Sequence, residues 1–321
     1  MVMKVRFPDV AKPRPHYESV YCALVHPTEP EALWVRTTVQ KRPGKEPTGA
    51  LWLTWFRPTG VRATKINDLP VSPSGHGLSC GPASQGPAGT RGSVESEQLS
   101  ARWDLAFAPR TDGLEHLHSA FLYRAPLPRT KATSPVPDLD VEGTLVLDGT
   151  PVDLTGWTGM LGHNWGTEHA ARWIWLRASG FGEEGTGWLD AVLGRVRVGP
   201  ALAPWTAFGA LELDGTRHRL GGLLARGTSV ALSDNGATIG LSGSGVSVRI
   251  RAEVSLPATV GWEYSDPGGH RHEVVNSSVA DISLAIDRGR SREAFHPSRR
   301  GVLEVGGDRR AFDVPLQPFP D

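Results

Sequence analysis

The chain has 321 residues and carries 34 Lys and Arg against 34 Asp and Glu, so its formal net charge is zero. A phosphate-binding surface normally appears as an excess or stripe of basic residues, and this balance argues against a nucleic-acid partner. With only Cys22 and Cys80 present, no disulfide framework can be built.

The length suffices for a large core and suggests two domains more than one. The start, Met1 to Val10, carries Lys4, Arg6 and Asp9 and lacks the apolar centre of a secretory signal. No run approaches the roughly 20 apolar residues that a transmembrane segment needs, so a soluble cytoplasmic protein is expected, of no assigned oligomeric state. Gly (38) and Pro (26) are abundant and Met (3) is scarce. Punctuation of this kind between short apolar stretches favours an all-β fold.

In chain order, strands are expected at Ser19 to Val25, Ala32 to Val39, Leu51 to Phe56, Leu99 to Phe107 and Leu117 to Arg124. The segment from Val71 to Gly92 is rich in Gly, Ser and Pro, and reads as a linker or, preferably, a long loop over a barrel mouth. Asp148-Gly149, Asp214-Gly215 and Asn235-Gly236 supply the positive φ values of tight hairpin turns. From Trp188 to Val198 a strand would place Trp188, Asp190 and Val192 on one face. Leu189, Ala191, Leu193, Arg195 and Arg197 would share the other, which the arginines mark as partly wet. Val246 to Val254 alternates almost ideally, with one face buried and one wet. A break at Gly199-Pro200 suggests an N-terminal β domain over residues 1–200 and a C-terminal barrel over 201–321. The basic cluster Arg288, Arg290, Arg292, Arg299 and Arg300 is interrupted by Asp287 and Glu293 and reads as a solvated edge.

Five of the eleven tryptophans, Trp157, Trp165, Trp173, Trp175 and Trp188, fall between Trp157 and Asp190, together with His163, Glu168 and His169. So many indoles line either a core or a pocket, and the titratable company favours a pocket. Asp190 is expected on the drier face of its strand, where an ionised carboxylate needs a partner such as His163. A structural role for that Asp is the alternative. Arg172 and Arg177 could neutralise Glu168 or Asp190. A metal site drawn from His163, His169, Glu168 and Asp190, His116 or His118 matches no familiar zinc spacing, and no metal or organic cofactor is expected. His270 and His272 share a strand face beside the Gly268-Gly269 turn. No nucleophile elbow, P-loop or dinucleotide fingerprint is present.

Gly162-His163-Asn164-Trp165-Gly166-Thr167-Glu168-His169 followed by Trp173-Ile174-Trp175 resembles the signature of the hydroxyneurosporene synthase (carotenoid 1,2-hydratase) and AttH-like proteins, relatives of the lipocalin-like Diels-Alderases. Tyr17-Glu18-Ser19, Ala32 to Arg36, Arg102 to Leu105 and Glu273 to Asp281, which includes Asn276, extend the likeness over most of the chain. The resemblance implies two lipocalin-like (calycin) β-barrels in tandem with an apolar cavity at or near their junction. The functional positions of the carotenoid hydratases map to His163, Trp165, Trp188 and Asp190. Where those hydratases have Tyr, this chain has Trp188, so a hydroxyl that could position water is missing.

Protonation of an isolated alkene needs an acid in a dry place, and burial can raise a carboxyl pKa far enough to supply one. Asp190 is the expected acid, oriented by His163, and Trp165 and Trp188 are expected to face the resulting cation. Trp173, Trp175, Asn164, Glu168 and Asn276 complete the expected substrate-binding set. The substrate is expected to be an apolar isoprenoid or polyene that is hydrated, cyclised or isomerised. A lipid carrier, or a pericyclase-like pocket acting by shape, are the rival readings.

Overall fold

The computed structural model describes residues 3–319 except 76, 224, 244, 290 and 296–300. In chain order the first sheet contains β1 (His16–Val25), β2 (Ala32–Lys41), β3 (Thr48–Arg57), β4 (Gly60–Leu69), β5 (Val71–Ser74), β6 (Gly77–Cys80), β7 (Ala83–Gly86), β8 (Gly89–Glu95), β9 (Ser100–Pro109), β10 (Leu114–Glu115), β11 (Thr130–Leu147), β12 (Thr150–Val152) and β13 (Thr158–Gly166). Its main order is β4-β3-β2-β1-β13-β11-β9-β8-β7-β6-β5. The sheet curls so that β6 and β7 lie against β1 to β3.

The second sheet follows with β14 (Arg172–Phe181) and β15 (Gly187–Arg195), interrupted by a separate hairpin, β16 (Arg197–Val198) and β17 (Ala201–Leu202). It continues with β18 (Thr206–Leu213), β19 (Thr216–Gly221), β20 (Ser229–Ser233), β21 (Gly236–Gly243), β22 (Val246–Glu253), β23 (Val260–Ser265), β24 (Arg271–Asp287), β25 (Arg292–Phe295) and β26 (Gly301–Gly307). The pairing of β19 with β21 at Leu220 and Gly243 closes this sheet on itself. The chain is thus all-β, with two barrel-shaped sheets.

The chain leaves the first sheet at Gly166 and enters the second at Arg172, not near residue 200. Gly199-Pro200, which suggested the break, is only the turn of the β16–β17 hairpin, with Val198 opposite Ala201. The Val71 to Gly92 segment is not a loop but the four short strands β5 to β8. Some of its Gly and Pro residues occupy two-residue turns, such as Gly81-Pro82 between Cys80 and Ala83, while Pro73, Gly77, Gly86, Gly89 and Gly92 lie within the strands. Leu117 to Arg124 is not a strand either. Ser119 accepts a hydrogen bond from the Phe121 N–H at 3.2 Å and caps a short helix, α1 (Ala120–Arg124).

The Asp148-Gly149 and Asp214-Gly215 turns form as expected, with φ of 48° and 78° in the first and 51° and 71° in the second. At Asn235-Gly236 the turn sits one residue earlier, since Ser233 pairs with Gly236. β22 alternates buried and exposed as its sequence requires. In the basic cluster, Arg288 pairs with Glu293 and with Asp214, while Arg290, Arg299 and Arg300 lie outside the described residues.

Three large apolar clusters among the described residues organise the packing, beside a small one at Trp188. Val20, Cys22, Leu24, Leu33 and Val35 point into the first barrel, and Ile174, Leu176, Leu189 and Ala191 into the second. The alternate residues of the same strands form a third cluster between the barrels, including Tyr21, Trp34, Trp52, Trp175, Trp262 and Tyr264. Trp52 meets Trp262 edge-on at 4.9 Å and Tyr264 at 5.5 Å, and Tyr21 meets Trp175 at 5.0 Å. Each such ring buries roughly 150–250 Å², which at about 25 cal/mol/Å² makes the outer faces as stabilising per residue as either core.

Arg177 of β14 crosses the same junction and is completely buried. It donates to the carbonyls of Gly159 at 2.9 Å and Pro137 at 3.2 Å, and to Asp138 at 3.3 Å, all on the first sheet. Removing one partner from a buried ion pair typically costs about 3–5 kcal/mol because the other charge is stranded. Arg177→Met should therefore lower the free energy of unfolding by an amount of that order, read by equilibrium urea denaturation, while Arg197→Met at an exposed pair should change it by less than about 1 kcal/mol.

Candidate functional site

The tryptophans that cluster in sequence separate in space. Trp157 joins the first core, Trp165 stacks on Tyr123, and Trp188 packs with Leu114 and Ala210 beneath the Arg217 guanidinium. Trp173 and Trp175 line a cavity of about 410 Å³ between the barrels, within the size range of small-molecule sites. Tyr21, Trp34, Arg36 and Asn164 of the first sheet face it, as do Val192, Phe208, Tyr264 and Glu304 of the second. Leu122 of α1, Leu127 and Leu223 complete an apolar rim.

The expected Asp190–His163 pair does not form, and neither residue is among those lining the cavity. Both faces of β15 are buried, because Leu189, Ala191 and Leu193 form barrel core where the arginines suggested a wet face. Asp190 lies on the outer face of the second barrel, fully buried against the first. Its carboxylate accepts hydrogen bonds from Ser134 Oγ at 2.5 Å and Trp175 Nε1 at 3.0 Å, and His116 Nε2 stands 3.3 Å away. Burial pushes the Asp190 carboxyl up, but His116 and the two donors outweigh it and hold the group below its ordinary value. Asp190 is therefore a stabilised carboxylate, the reverse of the raised acid expected from burial alone.

His163 points into the first barrel with Trp165, while Asn164 between them faces the cavity. His163 Nε2 lies 2.7 Å from Glu18 Oε1. The same carboxylate accepts the backbone N–H groups of Arg6 at 2.8 Å and of Phe7 at 2.8 Å, so the His-Asn-Trp block pins the N-terminal segment across the barrel. Arg6 also lies 4.8 Å above the Trp165 ring. Glu168 is half-exposed and pairs with Arg129, not with Arg172 or Arg177. Asn276 is buried behind the cavity wall and donates to Glu304 at 3.2 Å.

Sequence reasoning placed His169 among the titratable neighbours of the pocket and in the rival metal set but gave it no catalytic role, and it missed Asp266, Tyr264, Glu304 and Arg36. His169 Nδ1 lies 2.6 Å from Asp266 Oδ1, and its backbone N–H donates to the same oxygen at 2.9 Å. The other Asp266 oxygen is 2.9 Å from His272 Nε2. These are hydrogen-bond distances, so a His–Asp–His chain accounts for a trio whose ligand atoms lie within 4.8 Å of one another. The rival metal set of His163, His169 and Glu168 with Asp190, His116 or His118 does not assemble, since His163 pairs with Glu18, Glu168 with Arg129 and His169 with Asp266. Burial lowers the His169 pKa, partly opposed by Asp266. Tyr17 at 4.2 Å and Trp173 at 5.2 Å stack on the imidazole, and its Nε2 is buried without a protein partner among the described residues. Glu304 accepts from Trp173 Nε1 at 2.9 Å and Tyr264 OH at 3.0 Å. Gly306 makes room for the Trp173 ring, since a Cβ there would lie 2.1 Å from it.

No family model matches the chain. Two uncharacterised proteins, from the CDC 1551 / Oshkosh and ATCC 25618 / H37Rv strains of Mycobacterium tuberculosis, are each 24% identical to it over 273 residues, covering 83% of this chain and 80% of theirs. A crystal structure assigned as AttH, from Nitrosomonas europaea, superposes with a TM-score of 0.54 at 14% identity, covering 92% of this chain and 93% of that one. Two tandem lipocalin-like barrels are the fold. Kievitone hydratase from Nectria haematococca covers 95% of both chains at 9% identity with a TM-score of 0.48. No helix among the described residues is long and apolar enough to cross a membrane.

The electrostatics give one pH dependence with a definite sign. Burial pushes the Glu18 carboxyl up, but hydrogen bonds from His16, His163 and the Arg6 N–H bring it from 4.5 down to about 2. A depressed carboxyl stabilises the fold fully above its unfolded pKa and loses that contribution as pH falls toward the folded one, here about 3 kcal/mol in all. Stability measured by denaturant titration should fall between pH 4.5 and 2, and Glu18→Gln should flatten that limb while lowering stability at neutral pH.

Proposed function

We propose that the inter-barrel cavity is a proton-transfer site for a mostly apolar isoprenoid or polyene, with His169 as the catalytic group and Asp266 as its positioning residue. One observation carries this reading: the His169 ring is part of the wall of an apolar cavity and its buried Nε2 has no protein partner among the described residues, while the opposite ring nitrogen is fixed by a carboxylate. With the Nδ1 proton donated to Asp266, Nε2 presents its lone pair to a bound substrate. It can remove a proton from one carbon and return it to another, which shifts a double bond. The imidazolium formed between these steps is stabilised by Asp266 at 2.6 Å. Lowering of the His169 pKa keeps the resting ring neutral, the form that a base requires.

The indoles Trp173, Trp175 and Trp34 line the wall and give a polyene chain flat apolar faces to pack against. Proton removal and return of this kind is isomerisation; hydration and cyclisation begin with protonation of the alkene, a step that a neutral imidazole does not supply. The proposed roles of Asp190 and His163 are structural. Asp190 fixes Trp175 in the cavity wall, and His163 holds the N-terminal segment through Glu18.

Incubation with a panel of isoprenoid and polyene probes in deuterium oxide tests the reading by mass spectrometry of the recovered probe. At least one probe should gain deuterium. His169→Gln should slow that exchange by about 100-fold or more without loss of probe binding, while folded Asp190→Asn should retain it within about threefold, a small residual on the same scale. A wild-type protein that binds the probes but exchanges nothing, or exchange untouched in His169→Gln, overturns proton transfer and leaves a carrier.

A further inference from the structure

Arg36 is a cation with too few partners. β2 places Trp34 and Arg36 on the outer face of the first barrel, and the Arg36 side chain lines the inter-barrel cavity with only 5% of the residue exposed. Its Nε donates to Ser19 Oγ at 2.8 Å, and its Nη1 is buried with no hydrogen-bond partner among the described residues. Among the described residues no carboxylate pairs with it. The guanidinium lies 4.0 Å from the Tyr264 ring centroid, 5.2 Å from that of Trp52 and 5.9 Å from that of Trp34. Aromatic faces offset part of the desolvation of a guanidinium but accept none of its five N–H groups in the plane of the fork.

The other charge on the cavity wall does not meet this need. Glu304 is occupied by Trp173, Tyr264 and Asn276 at 2.9, 3.0 and 3.2 Å. The two charged groups meet at Tyr264, Arg36 over its ring and Glu304 at its hydroxyl, and so mark one polar pole in an otherwise apolar hollow. His169 stands at the same pole, its ring centroid 5.9 Å from that of Tyr264.

We propose that Arg36 anchors the carboxylate head group of the ligand, which makes the substrate class an unsaturated, long-chain apolar acid. The proposal rests on the proton-transfer reading of the cavity and specifies its substrate. A carboxylate matches the planar fork of a guanidinium, which no compact cation would favour as a partner. Once the head group is bound there, the first carbons of the chain lie beside His169 and the tail runs along Trp175, Val192 and Phe208 toward the rim at Leu127.

The test compares cis-parinaric acid, a polyene fatty acid, with its methyl ester at pH 8, reading energy transfer from protein tryptophan to bound probe. The wild type should bind the acid about tenfold or more tightly than the ester, the difference expected of one charge-assisted pair. Arg36→Met should bring the acid to within about twofold of the ester while leaving ester affinity unchanged, which also reports that the variant is folded. Arg36→Lys should keep part of the preference. Equal binding of acid and ester by the wild type overturns the anchor but leaves the apolar cavity standing, and so does a preference that survives in Arg36→Met. If neither form binds, the cavity reading fails and the anchor with it.

Discussion

The outer faces of the two barrels are apolar and must be covered, and each covers the other. β1 to β3 present Tyr21, Ala23, Trp34 and Trp52 on the side away from their own core, and β14, β23 and β26 present Trp175, Trp262 and Val302 in return. An isolated barrel of this kind would expose several indoles at once, a patch that a soluble surface does not normally carry. Joining the faces removes the patch and strings together Arg177, Asp190 and Tyr264 along the junction. The cavity lies where the two curved surfaces diverge.

Burial at the junction and inside the first barrel changes the chemistry of the carboxylates it encloses. Glu18, Asp190 and Asp266 each sit beside imidazoles, and in each case burial, which favours the neutral acid, is outweighed by the donors around it. The three sites differ in what remains over. The Glu18 and Asp190 sites are structural ties, to the N-terminal segment and to the cavity wall at Trp175. At Asp266 the carboxylate fixes one nitrogen of His169, a residue of the cavity wall, while the other has no protein partner among the described residues, a division of labour typical of acid–base groups. A fold does not by itself fix a function, so it is this leftover nitrogen, not the architecture, that supports a chemical role.

Much of the β architecture is legible in the chain. Asp-Gly pairs mark two hairpins with the positive φ values they require, and β22 shows a period of two because one of its faces meets solvent. Legibility fails where both faces are buried. β15 reads as having a wet side because Arg195 and Arg197 follow Leu193, yet those arginines fall where the strand ends and the β16 hairpin begins. The small polar residues of β5 to β8 read as loop because Gly and Ser carry little pattern, although they let these hairpins lie close against the barrel.

Local sequence by itself determined the secondary-structure class, most strand positions, the tight turns and the nearness in the chain of His163, Asn164, Trp165, His169 and Trp173. Only the tertiary structure decided which way each of these points. Neighbours along a strand face opposite sides, so His163 enters one barrel while Asn164 meets the cavity. Which carboxylate meets which imidazole was likewise settled by contacts over long sequence separations, His163 with Glu18, Asp190 with His116 and His169 with Asp266. A carboxyl pKa in a protein interior depends on the sum of burial and partners, and the sequence displays the first without the second.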